Sequence, residues 1–176
     1  MEIATIIAPF AIISPMSERK PLSHFLLSLL AALLLLACAG TMFLPLVTVS
    51  GAYGEALPIP GFPIMFGGEL EMETSGGFYA FSFELNVILI IVMQGYILAA
   101  VSCFLGRQNR FNRIASLVLC LASIGASAFM VPLVCLFSSL SGAGVALGIG
   151  TILALCMGGC AFLIESALLV LRLKSR

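Results

Sequence analysis

Two groups of residues near the carboxyl end of the chain have types and spacings that could support chemistry. The stretch SGAGVALGIGTILALCMGGC, from Ser141 to Cys160, has glycines spaced G-x-G-x-x-x-G, one residue longer than a dinucleotide-binding fingerprint. Cys156 and Cys160 lie four residues apart, so two thiolates on one helix could supply half of a zinc site. Which chemistry is available depends on the elements that carry these residues.

The composition is that of a membrane protein. Of the 176 residues, 61% are hydrophobic and 9% are charged, whereas soluble domains contain about 25% charged residues. Charges are absent from 21–54, 85–106 and 114–164. A membrane-spanning helix needs about 20 apolar residues, so the third stretch is long enough for two spans. The sequence predicts four transmembrane helices, at 21–44, 84–106, 113–137 and 143–171.

The basic residues predict the orientation of these spans. All eight Lys and Arg residues lie before the first span, between the second and third or at the start of the third, or after the fourth. Basic segments stay in the cytoplasm, which predicts a multi-pass cell-membrane protein with both termini cytoplasmic. The cytoplasmic segments are 1–20, 107–112 and 172–176, and the outer ones are the loop 45–83 and the turn 138–142. Compact loops and short tails favour a bacterial membrane. The basic residues are explained by the topology, so we expect no nucleic-acid partner.

The amino-terminal segment is apolar but too short to span a membrane, and Pro9 and Pro15 interrupt any helix in it. We expect it to lie in the cytoplasmic interface. A re-entrant or regulatory plug and a misassigned start codon are the alternatives. The first span resembles a secretory signal, but its apolar run continues through TMFLPLV, which predicts an uncleaved helix.

The outer loop between the first two spans has strand patterns. LVTVS is β-branched, and PIMFGGELEMET is typical of a hairpin with its turn at Gly67 and Gly68. After that turn Glu69, Glu71 and Glu73 alternate with apolar residues, and FYAFSF alternates again as a strand or an aromatic anchor. The predicted fold is an all-α, single-domain membrane protein (1–176): a four-transmembrane-helix bundle with a small β-rich extracytoplasmic loop between helices 1 and 2.

This placement changes the interpretation of the glycine-rich stretch, because a nucleotide-binding loop must follow a strand in a soluble βαβ unit. Small residues recur instead at intervals of three or four and form a packing seam: Gly144, Gly148, Thr151, Ala154, Gly158 and Ala161. Small residues on one helix face allow another helix to approach closely in lipid. The partner is either a helix of this chain or one of another.

The cysteines predict packing. All six lie inside predicted spans and none lies in the outer loop, so no disulfide framework is expected. Cys156 and Cys160 point away from the seam, and a zinc site would need two further ligands. His24, the single His, lies at a different depth. We therefore expect no metal and no cofactor.

Three polar residues inside or beside the spans are candidates for function: Glu165, His24 and Gln94. An ionisable group at membrane depth is expensive to bury and indicates a functional site by default. Glu165 is either a structural, hydrogen-bonded carboxylate or a proton- or ligand-coupling group. Gln94 either bonds a neighbouring helix or lines a polar path. The outer acidic face, Glu69, Glu71 and Glu73, is a solvated or partner-facing surface, since acids on a flat strand make a poor Ca²⁺ cage.

The chain contains no Asp and a single His, so we expect no enzyme. The predicted function is that of a non-catalytic accessory or scaffolding subunit. It would pack on a membrane partner or a second copy through the fourth helix, within the lipid bilayer, and present its outer loop for recognition. The alternative is a small transporter or channel component with a polar route through Glu165, His24 and Gln94. The layout is similar to claudin-like proteins in topology alone, because this chain has no Trp and no loop cysteine, so no family is assigned.

Overall fold

A computed structural model describes residues 19–51, 54–74, 77–105, 110–140 and 144–174. The predicted amino-terminal segment, up to residue 18, lies outside the described residues, as do parts of two predicted connections, 106–109 and 141–143. The elements, in chain order, are α1 (Arg19–Thr41), β1 (Pro45–Ser50), β2 (Ala56–Pro60), α2 (Gly61–Phe66), β3 (Gly68–Thr74), β4 (Gly77–Phe83), α3 (Val87–Leu105), α4 (Arg110–Ala128), α5 (Met130–Leu136), β5 (Val145–Leu147) and α6 (Ile149–Lys174).

Four of these helices are long and apolar enough to cross a membrane, as the sequence predicts. The qualifying segments are Ser23–Thr41, Val87–Leu105, Phe111–Ala128 and Ile149–Leu171. The chain is therefore mainly helical with small sheets, and it is compatible with a multi-pass membrane protein. The first two helices match their predicted positions closely, whereas the third and fourth differ.

The third predicted span, 113–137, is two helices. The break lies at Phe129, between α4 and α5, where the Phe129 N–H bonds the Ala126 carbonyl in a tightened turn. Pro132 explains the break, because a proline has no N–H for the carbonyl four residues earlier and its ring collides with that carbonyl. That carbonyl belongs to Ala128, the last residue of α4.

The fourth predicted span, 143–171, begins too early. Val145–Leu147 forms β5, which pairs antiparallel with β1 through Val47 and Leu147. The Gly148 N–H then bonds the Leu46 carbonyl at 2.8 Å, and α6 begins at Ile149. The open edge of β1 therefore captures residues that the apolar pattern alone assigns to a helix.

The long helices pack in a ring in the order α1, α3, α4, α6, and α6 contacts α1 to close it. The sheets, α2 and α5 all lie beyond the same end of this ring, here called the sheet end. The opposite end, where the basic clusters lie, is called the basic end. Within the ring Tyr96 is fully buried, and its hydroxyl lies 3.0 Å from that of Ser127.

The strands form two sheets. β1 lies between β2 and β5 in an antiparallel sheet, and β3 pairs with β4 in a separate hairpin. The predicted hairpin turn at Gly67 and Gly68 is wrong. Gly67, at φ 78°, ends α2, and the hairpin turn instead joins Thr74 to Gly77. Both glycines do adopt positive φ, so the backbone freedom that the sequence indicates is used to leave a helix.

Side chains tie the sheet end to the helices. The Thr151 hydroxyl of α6 donates to the Leu46 carbonyl of β1 at 2.8 Å. Asn86 is fully buried just before α3, where its Oδ1 accepts the Leu89 N–H at 3.2 Å and its Nδ2 donates to the Leu133 carbonyl of α5 at 3.1 Å. Asn86 thus caps one helix and holds another.

Candidate functional site

The candidate site is a polar cluster buried inside the helix ring near the basic end. Its acid is Glu165 of α6, which is only 2% exposed. Cys103 of α3 is fully buried, and its thiol lies 3.0 Å from Glu165 Oε1, to which it donates. Glu165 follows Ala161 on the inward face of α6, so the same face that carries small residues also carries this carboxyl group inward.

Ser28 joins α1 to the same thiol. The Ser28 hydroxyl donates to the Cys103 carbonyl at 3.2 Å, and the Cys103 thiol lies 3.2 Å from the Ser28 carbonyl. A thiol has a single proton, which is therefore shared between the Ser28 carbonyl and Glu165 Oε1. Cys103 thus links α1, α3 and α6 at one level of the ring.

Arg113 brings α4 into the cluster. The Ser116 hydroxyl of α4 donates to the Ala99 carbonyl of α3 at 2.9 Å. One turn closer to the basic end along these antiparallel helices, α4 presents Arg113 and α3 presents Cys103. Arg113 is only 5% exposed. All four long helices therefore contribute to the site.

Two charged groups of this cluster keep unused hydrogen-bonding capacity. Among the described residues, Arg113 Nε and Glu165 Oε2 are the buried side-chain atoms that have no hydrogen-bond partner. Leaving a charged group unpaired away from water is expensive. The two groups have opposite formal charges, so each lowers the cost of burying the other. The cluster can accept one further donor and supply one further donor.

His24 and Gln94 are not part of this cluster. Both side chains are exposed, His24 near the start of α1 and Gln94 midway along α3. The structure therefore does not bring together the three residues of the predicted polar route. The sequence does not predict the other members of the cluster: it indicates packing for Cys103 and topology for Arg113, and it does not single out Ser28. These residues have in common that they lie at a similar depth on different helices. No single stretch of the sequence reveals this.

The predicted seam lies inside this chain. Thr151, Ala154 and Ala161 are fully buried, and the Ala154 carbonyl accepts from the Cys38 thiol of α1 at 3.5 Å. A Cβ added at Gly158 would lie 2.9 Å from Ile124 Cγ1 of α4. The seam therefore packs on α1 and α4 of the same chain.

The first two predicted seam residues lie outside the helix. Gly144 precedes β5 and its carbonyl accepts the Ser50 N–H at 2.8 Å. Gly148 lies between β5 and α6, where an added Cβ would collide with the Pro45 carbonyl oxygen. Their small size serves strand and backbone contacts, so the helical seam begins at Thr151.

The predicted acidic face is present on the hairpin. Glu69, Glu71 and Glu73 are exposed on one face of β3, directly opposite Ser82, Ala80 and Phe78 of β4, which are exposed as well. The opposite face is half-buried and packs on the core through Leu70, Met72, Tyr79 and Phe81. The described residues contain no group of three or more His, Cys, Asp or Glu that could hold a metal ion.

Three of the six cysteines predicted to serve packing are buried in the structure. All six are free thiols: Cys38, Cys103 and Cys120 are buried, Cys135 is half-buried, and Cys156 and Cys160 are exposed on the outer side of α6. Cys156 and Cys160 thus point away from the seam, as predicted.

No family is shown by comparison. No family model matches this sequence, and neither a curated protein nor a solved structure matches it. The function must therefore be argued from the geometry.

Proposed function

We propose that this protein is a non-catalytic accessory or scaffolding subunit of a cell membrane, with four spans, and that it recognises its partner through the sheet end. In this proposal the basic end and both termini lie in the cytoplasm, in accordance with the positions of the basic residues. The ring of helices holds the sheets at the opposite membrane surface. The chemically reactive side chains support a non-catalytic role, because Cys103 and Glu165 are buried and bonded to each other.

The observation that carries the proposal is the exposed acidic face of the β3–β4 hairpin. Three glutamates lie side by side there, and the segment 45–83 contains no Lys or Arg that could neutralise them. Three like charges on one strand face repel one another, and a surface of opposite charge would relieve that repulsion. A partner with a basic surface would do so, and charge complementarity would give it specificity and a fast association rate.

The hairpin is held in a fixed orientation by its other face. The Tyr79 hydroxyl donates to Glu55 Oε1 at 2.7 Å, and the Tyr79 and Phe81 rings stack with centroids 6.4 Å apart. These contacts tie β4 to the segment before β2. A recognition face that is already ordered loses little entropy on binding.

The fourth span, α6, is not the docking surface of this proposal. Its small-residue seam is occupied by α1 and α4 of the same chain. Association with another membrane protein would therefore use the sheet end together with outward-facing apolar residues of the long helices, and the seam would serve to hold the ring together.

Site-specific photo-crosslinking tests this function. A photoreactive residue at Ala80, which faces Glu71 across the hairpin, should give one protein adduct of defined mass in native membranes. The adduct should disappear in the Glu69→Gln, Glu71→Gln, Glu73→Gln triple variant, because the charges that attract the partner are lost. The same probe at Gln94, on the exposed side of α3, is the matched control for random collision. Lipid adducts alone at Ala80, or a protein adduct that survives in the triple variant, would contradict the proposal.

A transport component is the second candidate, and one observation favours it. Within the part of the chain that the structure describes, Glu165 Oε2 and Arg113 Nε are buried in the helix ring without partners, and such groups mark ion pathways in many membrane proteins. The route would pass Ser28 and Cys103 instead of His24 and Gln94. In sealed vesicles with an internal pH-sensitive dye, the protein would dissipate an imposed pH gradient and the Glu165→Gln variant would not. Equal rates with the protein, the variant and empty vesicles would exclude this function.

A further inference from the structure

The short helix α2 has two faces of different exposure. Gly61, Ile64 and Met65 are buried against the rest of the chain. Phe62 and Phe66, one helical turn apart, are 59% and 41% exposed, and their ring centroids lie 5.1 Å apart. A pair of phenylalanines on the exposed face of a helix is a large apolar surface that water solvates poorly.

Backbone contacts fix α2 between the ends of two long helices. At its start, the Gly61 N–H donates to the Leu44 carbonyl at 3.1 Å, and Gly61 packs against the Met42 carbonyl just beyond α1. At its end, the Asn86 N–H donates to the Met65 carbonyl at 3.1 Å just before α3. The helix therefore lies at the level where α1 ends and α3 begins.

The exposed apolar surface continues on both sides of α2. Large hydrophobic side chains are exposed at the end of α1 and at the start of α3: Phe43, Leu44, Leu85, Val87 and Ile88. Between Ala56 and Gly68 the chain contains no charged residue. Exposed apolar side chains thus flank α2 at the end of α1 and at the start of α3, and the charged residues next to this surface, Glu69 and Glu84, are themselves exposed.

We propose that α2 is a lipid-binding anchor, lying in the membrane interface at the sheet end with Phe62 and Phe66 inserted among the acyl chains of that leaflet. The proposal rests on the four-span assignment and does not depend on the recognition partner. Large apolar side chains on a helix that lies in the interface plane bury themselves at the boundary between the headgroups and the acyl chains in this way. The occupant is lipid because the phenylalanine pair continues the apolar surface of helices that are themselves apolar enough to span.

The anchor has a mechanical consequence for the acidic face. The hairpin follows α2 directly, with Gly67 alone between Phe66 and Gly68. Fixing α2 at the membrane surface therefore fixes the height of the hairpin, and it holds the glutamates clear of the lipid. The aromatic pair and the acidic face are the lipid-facing and water-facing parts of one continuous segment.

Tryptophan fluorescence in lipid vesicles tests the anchor, because the chain contains no Trp. Phe62→Trp then supplies a single fluorophore. In vesicles of phosphatidylcholine brominated high on its acyl chains, this variant should lose most of its emission, while acrylamide should quench it weakly. Phe66→Trp gives a second measurement if the first variant does not fold.

Two matched variants calibrate the result. Phe78→Trp places the fluorophore on the exposed face of the hairpin, so acrylamide should quench it and brominated lipid should not. Ile91→Trp, on the exposed side of α3, should be quenched most by lipid brominated deeper in the chain. The proposal is overturned if the α2 variants behave like Phe78→Trp. It is also overturned if neither quencher reaches the α2 variants in these vesicles, which would indicate that a second copy of the protein covers this surface.

Discussion

At the sheet end, buried polar side chains are bonded to fixed backbone groups, whereas at the basic end two charged side chains keep unbonded atoms. Thr151 and Asn86 each have defined partners at the sheet end. Arg113 Nε and Glu165 Oε2 have none among the described residues. A fully bonded polar network rigidifies a structure, whereas a partly bonded one keeps hydrogen-bonding capacity that a second arrangement or a ligand could satisfy. We therefore expect the sheet end to be the stable part of the ring and the basic end to be the adjustable part.

We expect the largest loss of stability when one of the two buried charges at the basic end is removed. Arg113→Met should destabilise the folded protein by about 3–5 kcal/mol, because it removes the positive charge buried in the same cluster as Glu165. The double variant Arg113→Met, Glu165→Gln should recover much of this loss, since the uncompensated charge is removed. Unfolding in mild detergent, followed by circular dichroism, measures the cycle. Strictly additive effects would show that the two groups do not interact.

A second prediction tests whether the sheet end is rigid. In Gly148→Ala the new methyl group would meet the Pro45 carbonyl oxygen and lie 2.7 Å from the Leu46 carbonyl carbon. Backbone atoms have little room to move, so we expect a loss of about 3 kcal/mol.

Gly159→Ala is the control for that substitution. Apart from the neighbouring backbone of α6, no atom of the described residues lies within 4 Å of an added Cβ there, and alanine favours a helix over glycine by about 1 kcal/mol. This variant should therefore be as stable as the unsubstituted protein or more so. Similar changes in melting temperature in the two variants would contradict this prediction. They would show that the backbone around Gly148 accommodates a methyl group as readily as the middle of α6 does.

A third prediction concerns the link between α3 and α5. Asn86→Ala removes a helix cap and leaves the buried Leu133 carbonyl unpaired, which should cost about 2 kcal/mol. Gln94→Ala changes an exposed amide on the same helix and should shift stability by less than about 0.5 kcal/mol. Thermal denaturation of the two variants side by side distinguishes a bonded amide from an exposed one.

The smallest effect is expected at the hairpin. Tyr79→Phe removes the hydroxyl that donates to Glu55, and we expect a loss of about 1 kcal/mol from this half-buried bond. Hydrogen exchange should accelerate in β3 and β4 and stay unchanged in β1, whose partners are β2 and β5. Equal acceleration in both sheets would show that they unfold as one unit.

Hydropathy and charge-free length were sufficient to predict four spans, because burial in a membrane imposes its requirement along the sequence itself. Pro132 also indicates where the third span ends, because a proline interrupts a helix. The apolar pattern, which continues to residue 137, predicts a longer helix instead. The strand at Val145–Leu147 was not readable in this way. Three apolar residues fit a helix equally well, and the open edge of β1 that captures them lies about a hundred residues away in the sequence.

The candidate site likewise contains one residue that the sequence identifies and others that it does not. Glu165 was identified because an acid in an apolar stretch is conspicuous on its own. Its neighbours Cys103 and Arg113 were not, because their roles depend on which helices adjoin and at what level. Gly67 is an intermediate case. The sequence correctly predicts that it adopts a positive φ, but the hairpin turn lies at the other end of β3.

The pairing of β1 with β5 sets the order in which the chain can be completed during synthesis. The Thr151 hydroxyl and the Leu46 carbonyl that it bonds are separated by 105 residues. While the ribosome is still making the intervening helices, β1 can pair with β2 but its second edge stays open. A nascent chain arrested before α6 would therefore carry an unpaired strand edge and an unfilled gap beside α1. Quality-control proteases and chaperones that recognise such edges would see this protein as unfinished until its last helix has entered the ring.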